Sequence, residues 1–140
     1  MSQPDATTHS VSQALAERIE ELYGQPLAEL EALADSTPEA TLLGALTGSH
    51  SDLDLAERNI TFQLERLREL TAPDREIGRH AAGHIFDCAR RIAESVATRD
   101  AYAKATGAVL GGLRRVAAPA TPPPAVPAPA APARVPSRSR

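Results

Sequence analysis

The sequence predicts an all-α protein: a small helical bundle built on a long antiparallel helical hairpin, about 52–106, with a disordered Pro/Ala-rich C-terminal tail after it. Three observations carry this expectation. Apolar residues recur at helical spacing through most of residues 10–106, and no stretch alternates with the period of two that a half-buried strand needs. Cap and turn residues divide that pattern into segments. Eight of the twelve prolines fall after residue 117, which leaves the helical part of the chain almost free of them.

Residues 1–9 read as a disordered lead. Ser10 caps a first helix with Gln13 as its capping-box partner, and Val11, Leu15, Ile19 and Leu22 form its apolar stripe up to Gly24. Pro26 suits the first turn of a short second helix whose inward residues are Leu27, Leu30, Leu33 and Ala34. Thr37-Pro38-Glu39 combines a capping hydroxyl, a preset φ and an acid at the positive helix end, so a third helix is expected over about 38–47, stopping at Gly48.

Ser51 or Asp52 opens the fourth helix, with Leu53, Ala56, Ile60, Leu64, Leu67 and Thr71 on one face. Pro73 disfavours helical ψ at Ala72, and Thr71 and Asp74 can cap the next helix, so the chain reverses at Thr71-Ala72-Pro73-Asp74. The fifth and longest helix runs from Pro73 to about Thr106, with a stripe of Ile77, Ala81, Ile85, Cys88, Ala89, Ile92 and Val96 that continues weakly to Ala103. Residues 10–117 thus form the bundle domain. From 118 to 140, proline and alanine dominate and predict a polyproline-II-like tail.

Composition narrows the possibilities. With two Tyr, two Phe and no Trp, the core must be aliphatic, which suits close-packed helices. The single cysteine, Cys88, excludes an intrachain disulfide and fits a reducing compartment. No signal-peptide pattern opens the chain and no apolar run approaches the ~20 residues that cross a bilayer, so a cytoplasmic location without membrane contact is expected. Lys104 is the only lysine among fifteen basic residues. That bias matches coding in a high-GC genome such as an actinobacterium's.

Charge divides into three blocks. Residues 1–54 carry ten acids and only Arg18, residues 55–103 carry eight acids and eight arginines, and residues 104–140 carry six basic residues and no acid. Such a pattern predicts an acidic face, a balanced hairpin and a basic tail that can touch anionic partners through Arg114, Arg115, Arg138 and Arg140. Nucleic-acid contact is expected, if anywhere, only through this tail. A helix-turn-helix is excluded because residues 38–47 lack Arg, Lys, Asn and Gln and lie in the acidic block.

The one cluster with metal-ligand spacing is His80 and His84, with Cys88 a further turn along and Asp87 nearby. Eight helical residues span about 12 Å, so one ion cannot readily take both His80 and Cys88, and only His50 or Glu57 offer further ligands. The favoured expectation is no metal and no cofactor. Gly107-Ala108-Val109-Leu110-Gly111-Gly112 lacks both the preceding strand and the lysine of a phosphate loop. A mid-helix thiol in an apolar stripe lacks the electropositive setting of a nucleophile, and no enzyme is expected.

Leu55 and Phe62 lie seven apart, opposite the main stripe of the fourth helix, and Phe86 lies off the stripe of the fifth. A simple hairpin cannot bury both sides of its helices. Either the N-terminal helices cover these residues, the favoured packing, or the residues form a surface for a protein partner or a homodimer. The functional expectation is a non-enzymatic helical interaction or regulatory protein. Its alternatives are a metal site at His80 and His84 or tail-mediated association with nucleic acid.

Overall fold

The computed structural model describes residues 10–114, 124–125 and 127–131. The expected lead, 1–9, and most of the tail, with Arg115, Arg138 and Arg140, lie outside the described residues. The tail residues that are described are exposed and adopt neither helix nor strand. Four helices make up the fold: α1 (Val11–Tyr23), α2 (Leu27–Ser36), α3 (Leu42–Leu70) and α4 (Arg79–Gly112). The architecture is all-α, with α3 and α4 packed antiparallel over their length as the hairpin.

α1 begins and ends where its cap residues dictate. The Ser10 hydroxyl accepts the Gln13 N–H at 3.1 Å. Gly24 closes the helix with φ 70°, and its N–H reaches the Glu20 carbonyl at 2.7 Å. Gln13 does not complete the capping box, because its side chain turns toward Glu17. The remaining N-terminal donors are met by Glu57 of α3. α2 is capped by a neighbour too: Pro26 sits at the N-cap, outside the first turn, and Leu27 N–H donates to the Glu20 carboxylate of α1 at 2.8 Å. Leu30 is buried, whereas Leu33, expected inside, is exposed.

The expected third and fourth helices are one. Thr37 ends α2, with its hydroxyl on the Leu33 carbonyl at 2.9 Å, and Thr41 is the residue that caps α3, accepting from Gly44 N–H at 3.0 Å. The helix then runs through Gly48 without a break. A mid-helix glycine costs about 1 kcal/mol, and burial of Leu46, Thr47 and Leu53 on either side outweighs it. Thr47 and Ser49 do not stop the helix because their hydroxyls bond back to the Leu43 and Ala45 carbonyls at 3.0 and 2.8 Å. The hairpin is therefore longer than 52–106 and spans Leu42–Gly112.

Its reversal also differs from expectation. Arg75 N–H bonds the Ala72 carbonyl at 2.9 Å, so Pro73 occupies the second position of a β-turn, where its fixed φ fits. α4 begins only at Arg79, after Gly78, and Ile77 lies exposed in the connection.

The inward seam of α3 is Leu46, Leu53, Ala56, Ile60, Gln63, Leu67 and Leu70, in steps of seven, then three and four. Leu64 and Thr71, placed inside by the sequence pattern, lie at the rim or outside. Two helices that stay in contact over this length keep a 3.5-residue repeat, and a stripe extrapolated in steps of four drifts off it. α4 answers with Ala81, Ile85, Cys88, Ile92, Ser95, Arg99, Tyr102, Thr106 and Leu110, and Ala89, expected inside, is exposed.

α1 and α2 pack at one end of this hairpin. The buried cluster comprises Leu15, Ile19, Leu30, Leu46, Leu53 and Leu110, joined at its edge by Leu22, Tyr23, Leu27, Leu43, Tyr102, Ala103 and Leu113. No member falls between Leu53 and Tyr102. Around that cluster the hairpin is a four-helix structure; toward the turn, among the described residues, it is two helices alone.

Candidate interaction surface

The apex half of the hairpin has only its own seam to bury, and that seam is small and partly polar. Gln63, Cys88 and Ser95 are buried there with Ala56 and Leu70. The Asn59 amide donates to the Ser95 hydroxyl at 2.6 Å across the two helices, and the Gln63 amide lies 3.5 Å from the Asn59 carbonyl oxygen. Between these small and polar residues the seam takes Ile60, Leu67, Leu70, Ile85 and Ile92, while other large apolar side chains stay on the outside.

Those side chains are the ones the sequence pattern singled out. Leu55, Phe62 and Phe86 are 60, 62 and 77% exposed, so the N-terminal helices do not cover them. For Phe62 and Phe86 the physical reason is reach: α1 and α2 hold 13 and 10 residues, about 20 and 15 Å, and α1 begins level with Glu57. Leu55 lies level with α1 but on the flank of α3 away from the Asp54 and Glu57 side that α1 meets. Leu55 and Phe62 share the outer side of α3, two turns apart. Leu55 borders an open groove of about 460 Å³ that also includes Asp52, Asn59, Glu94, Thr98 and Tyr102. In this groove the Tyr102 hydroxyl faces Asp52, whose carboxylate holds the phenol above its ordinary value. Phe62 borders separate depressions with Thr61, Glu65, Arg66 and Glu69. Phe86 stands on α4, one position on from the seam residue Ile85. The structure thus leaves all three exposed, Leu55 at the middle of the hairpin and Phe62 and Phe86 toward the turn, without gathering them into a single pocket.

Charges around them are balanced and largely tied within each helix. Asp54 pairs with Arg58 at 3.0 Å, Arg66 with Glu69 at 3.2 Å, and Arg90 with both Asp87 and Glu94 at 2.7 Å. Asp87 also meets Arg91 at 3.0 Å. The Arg90 hydrogen bond, aided by the nearby Arg91 charge, holds the Asp87 carboxyl below its ordinary value against the opposing effect of desolvation. Asp87 is therefore engaged by two arginines and does not orient His84.

His80 and His84 are exposed on α4 and Cys88 is buried in the seam. Among the described residues no three His, Cys, Asp or Glu side chains come together as a metal cluster. His50, whose buried Nδ1 has no hydrogen-bond partner, lies on α3 at the far end of the hairpin, about 30 Å along it from His84. Glu57 is committed to the N-terminus of α1. Arg114 is exposed just beyond α4. No described helix is long and apolar enough to cross a membrane.

The apolar pattern does not reveal the buried polar residues Gln63, Ser95 and Thr106, because they are not apolar. The available signal is their place in the seam repeat, Gln63 and Ser95 seven residues from Ala56 and Cys88 and Thr106 four from Leu110. No protein-family model matches this chain, and no curated protein or solved structure does either.

Proposed function

We propose that this protein is a non-enzymatic helical interaction protein that engages another protein through the apex half of its α3–α4 hairpin. The observation that carries the reading is the combined exposure of Leu55, Phe62 and Phe86 on a hairpin whose opposite end already has a complete aliphatic core. A chain with four aromatic residues places both of its phenylalanines in water. Neither contributes to the core, so folding gives no reason for them. Exposed aromatic side chains flanked by balanced charge are typical of the central contacts of protein interfaces.

A photo-crosslinking amino acid at position 62, in the full chain inside the producing cell, tests the reading. The expected result is a covalent adduct with one discrete protein, this chain itself included, that disappears when Leu55→Asp is added. A chain that crosslinks to nothing from positions 55, 62 and 86 would remove the interaction reading, provided circular dichroism shows unchanged helicity.

A further inference from the structure

We propose that α4 pairs antiparallel with α4 of a second copy of this chain, through a stripe one position on from the intrachain seam. The inference rests on the interaction reading above and assigns Phe86 its partner, leaving the outer side of α3 free. Each seam residue of α4 from Ala81 to Ser95 is followed by a member of a second row: Ala82, Phe86, Ala89, Ala93 and Val96. These recur in steps of four and three, as the seam does, so they form a second line parallel to it and rotated by about 100°. Phe86, Ala89 and Ala93 are exposed, and Ala82 and Val96 are half-buried at its edges.

Reversal matches alternate members of the row to one another and the rest to positions one further on. About a twofold axis between positions 89 and 90, Phe86 of one copy falls opposite Ala93 of the other, while Val96 falls opposite Gly83 and Ala89 opposite Arg90, both one position off the row. The large residues therefore meet the small ones. Among the described residues, nothing beyond the helix's own adjacent backbone lies within 4 Å of where a Cβ on Gly83 would sit, so the space that a facing side chain needs is open. Ala89 and Ala93 leave room for the facing side chains, so the two helix axes can approach to the ~8–10 Å of ordinary helix packing.

Charge fixes the direction. Arg79 and Asp100 lie at the two ends of the same row, and the axis that pairs Phe86 with Ala93 also pairs Arg79 with Asp100 of the other copy, twice by symmetry. Both residues are exposed. Asp100 pairs with its neighbour Arg99 at 3.0 Å, yet its side chain is still 63% exposed. A parallel arrangement would set Arg79 against Arg79 and Asp100 against Asp100. The charge near the axis, Arg90, is already neutralised along its own helix by Asp87 and Glu94. The paired length, from 79 to 100, is about 30 Å.

Light scattering on the full chain across a range of concentrations tests this pairing, with circular dichroism confirming the fold of each variant. The expected result is a reversible dimer that Phe86→Glu and Ala93→Glu each convert to monomer. Arg79→Asp and Asp100→Arg should each weaken the dimer about tenfold, since each disrupts two equivalent ion pairs. The double variant Arg79→Asp/Asp100→Arg should recover it, because the register places each new charge opposite its complement. A wild-type monomer at all concentrations overturns the pairing but leaves the interaction reading to the crosslink at position 62. A dimer that ignores Phe86→Glu and is lost in Phe62→Asp also overturns it, and moves the interface to α3.

Discussion

Glu57, in the middle of α3, closes the N-terminus of α1. Its Oε1 accepts Val11 N–H at 2.7 Å, while Oε2 accepts the Ser12 hydroxyl at 2.5 Å and Ser12 N–H at 3.2 Å. A carboxylate in this position meets the positive end of the helix and satisfies donors that the helix cannot satisfy itself. It also fixes how far along the hairpin α1 begins, and hence which part of the hairpin stays bare.

Removing that cap weakens the fold in a pH-dependent way. Burial opposes ionisation of Glu57, but bonds from the Ser12 hydroxyl, the Ser12 and Val11 N–H groups and the Ser10 hydroxyl outweigh it and hold the carboxyl below its ordinary value. A folded-state pKa below the unfolded one gives stability that is complete above the unfolded value, about 4.3, and is lost as pH falls through the folded value. Glu57→Gln should cost about 1 kcal/mol at neutral pH. The difference in Tm from the wild type, measured at pH 7 and again at pH 3, should shrink at the lower pH.

Leu53 and Phe62 sit nine residues apart on one helix with opposite expected consequences. Leu53 is fully buried in the aliphatic cluster, so Leu53→Ala should cost about 2–5 kcal/mol in urea titrations. Phe62→Ala should change stability by less than about 0.5 kcal/mol, since the ring packs against little. An equal loss in both variants would place Phe62 in the core.

Gln63 is buried against weak polar partners, and its amide reaches only the Asn59 oxygen at 3.5 Å. Gln63→Leu keeps the volume, removes a desolvated amide and leaves the shorter Asn59–Ser95 bond in place. The expected effect is a gain of about 1 kcal/mol, read as a rise in Tm of about 4–8 °C. A fall in Tm would mean that the polar seam fixes the register of the two helices.

Two glycines should respond in opposite directions. Gly48 lies inside α3 with open space around its missing Cβ, so Gly48→Ala should add up to about 1 kcal/mol. Gly24 ends α1 at φ 70°, where a side chain is strained, and Gly24→Ala should cost about 1 kcal/mol. Thermal melts of the two single variants give both signs directly.

The sequence shows α1 clearly because its stripe, its Ser10 cap and its Gly24 stop all agree. It misplaces the start of α3 because Thr37-Pro38-Glu39 has every local feature of a helix start, and Gly48-Ser49 resembles a stop. Burial of Leu46 and Leu53 against α1 and α2 decides the matter, and that contact is not local. The seam is legible where it is aliphatic and hidden where it is Gln63, Ser95, Arg99 or Thr106. Leu55, Phe62 and Phe86 stand out in the sequence as apolar residues off the stripe. Whether other helices cover them depends on where Glu57 anchors α1 along the hairpin and on which flank of α3 it packs, which local patterns do not contain.

The bare half of the hairpin also sets how the molecule loosens. Stabilising contacts are concentrated around Leu15, Ile19, Leu30 and Leu53, whereas the apex is held by Leu70, the half-buried Ile60, Leu67, Ile85 and Ile92, and a few small and polar side chains. Amide protons should exchange fastest near the turn and slowest at the other end, because local opening needs only part of the global unfolding free energy. A ligand that grips the apex then also tightens it, and the free energy of that tightening is subtracted from affinity. Substitutions hidden in the seam, Gln63→Leu among them, should therefore strengthen association without touching the bound partner.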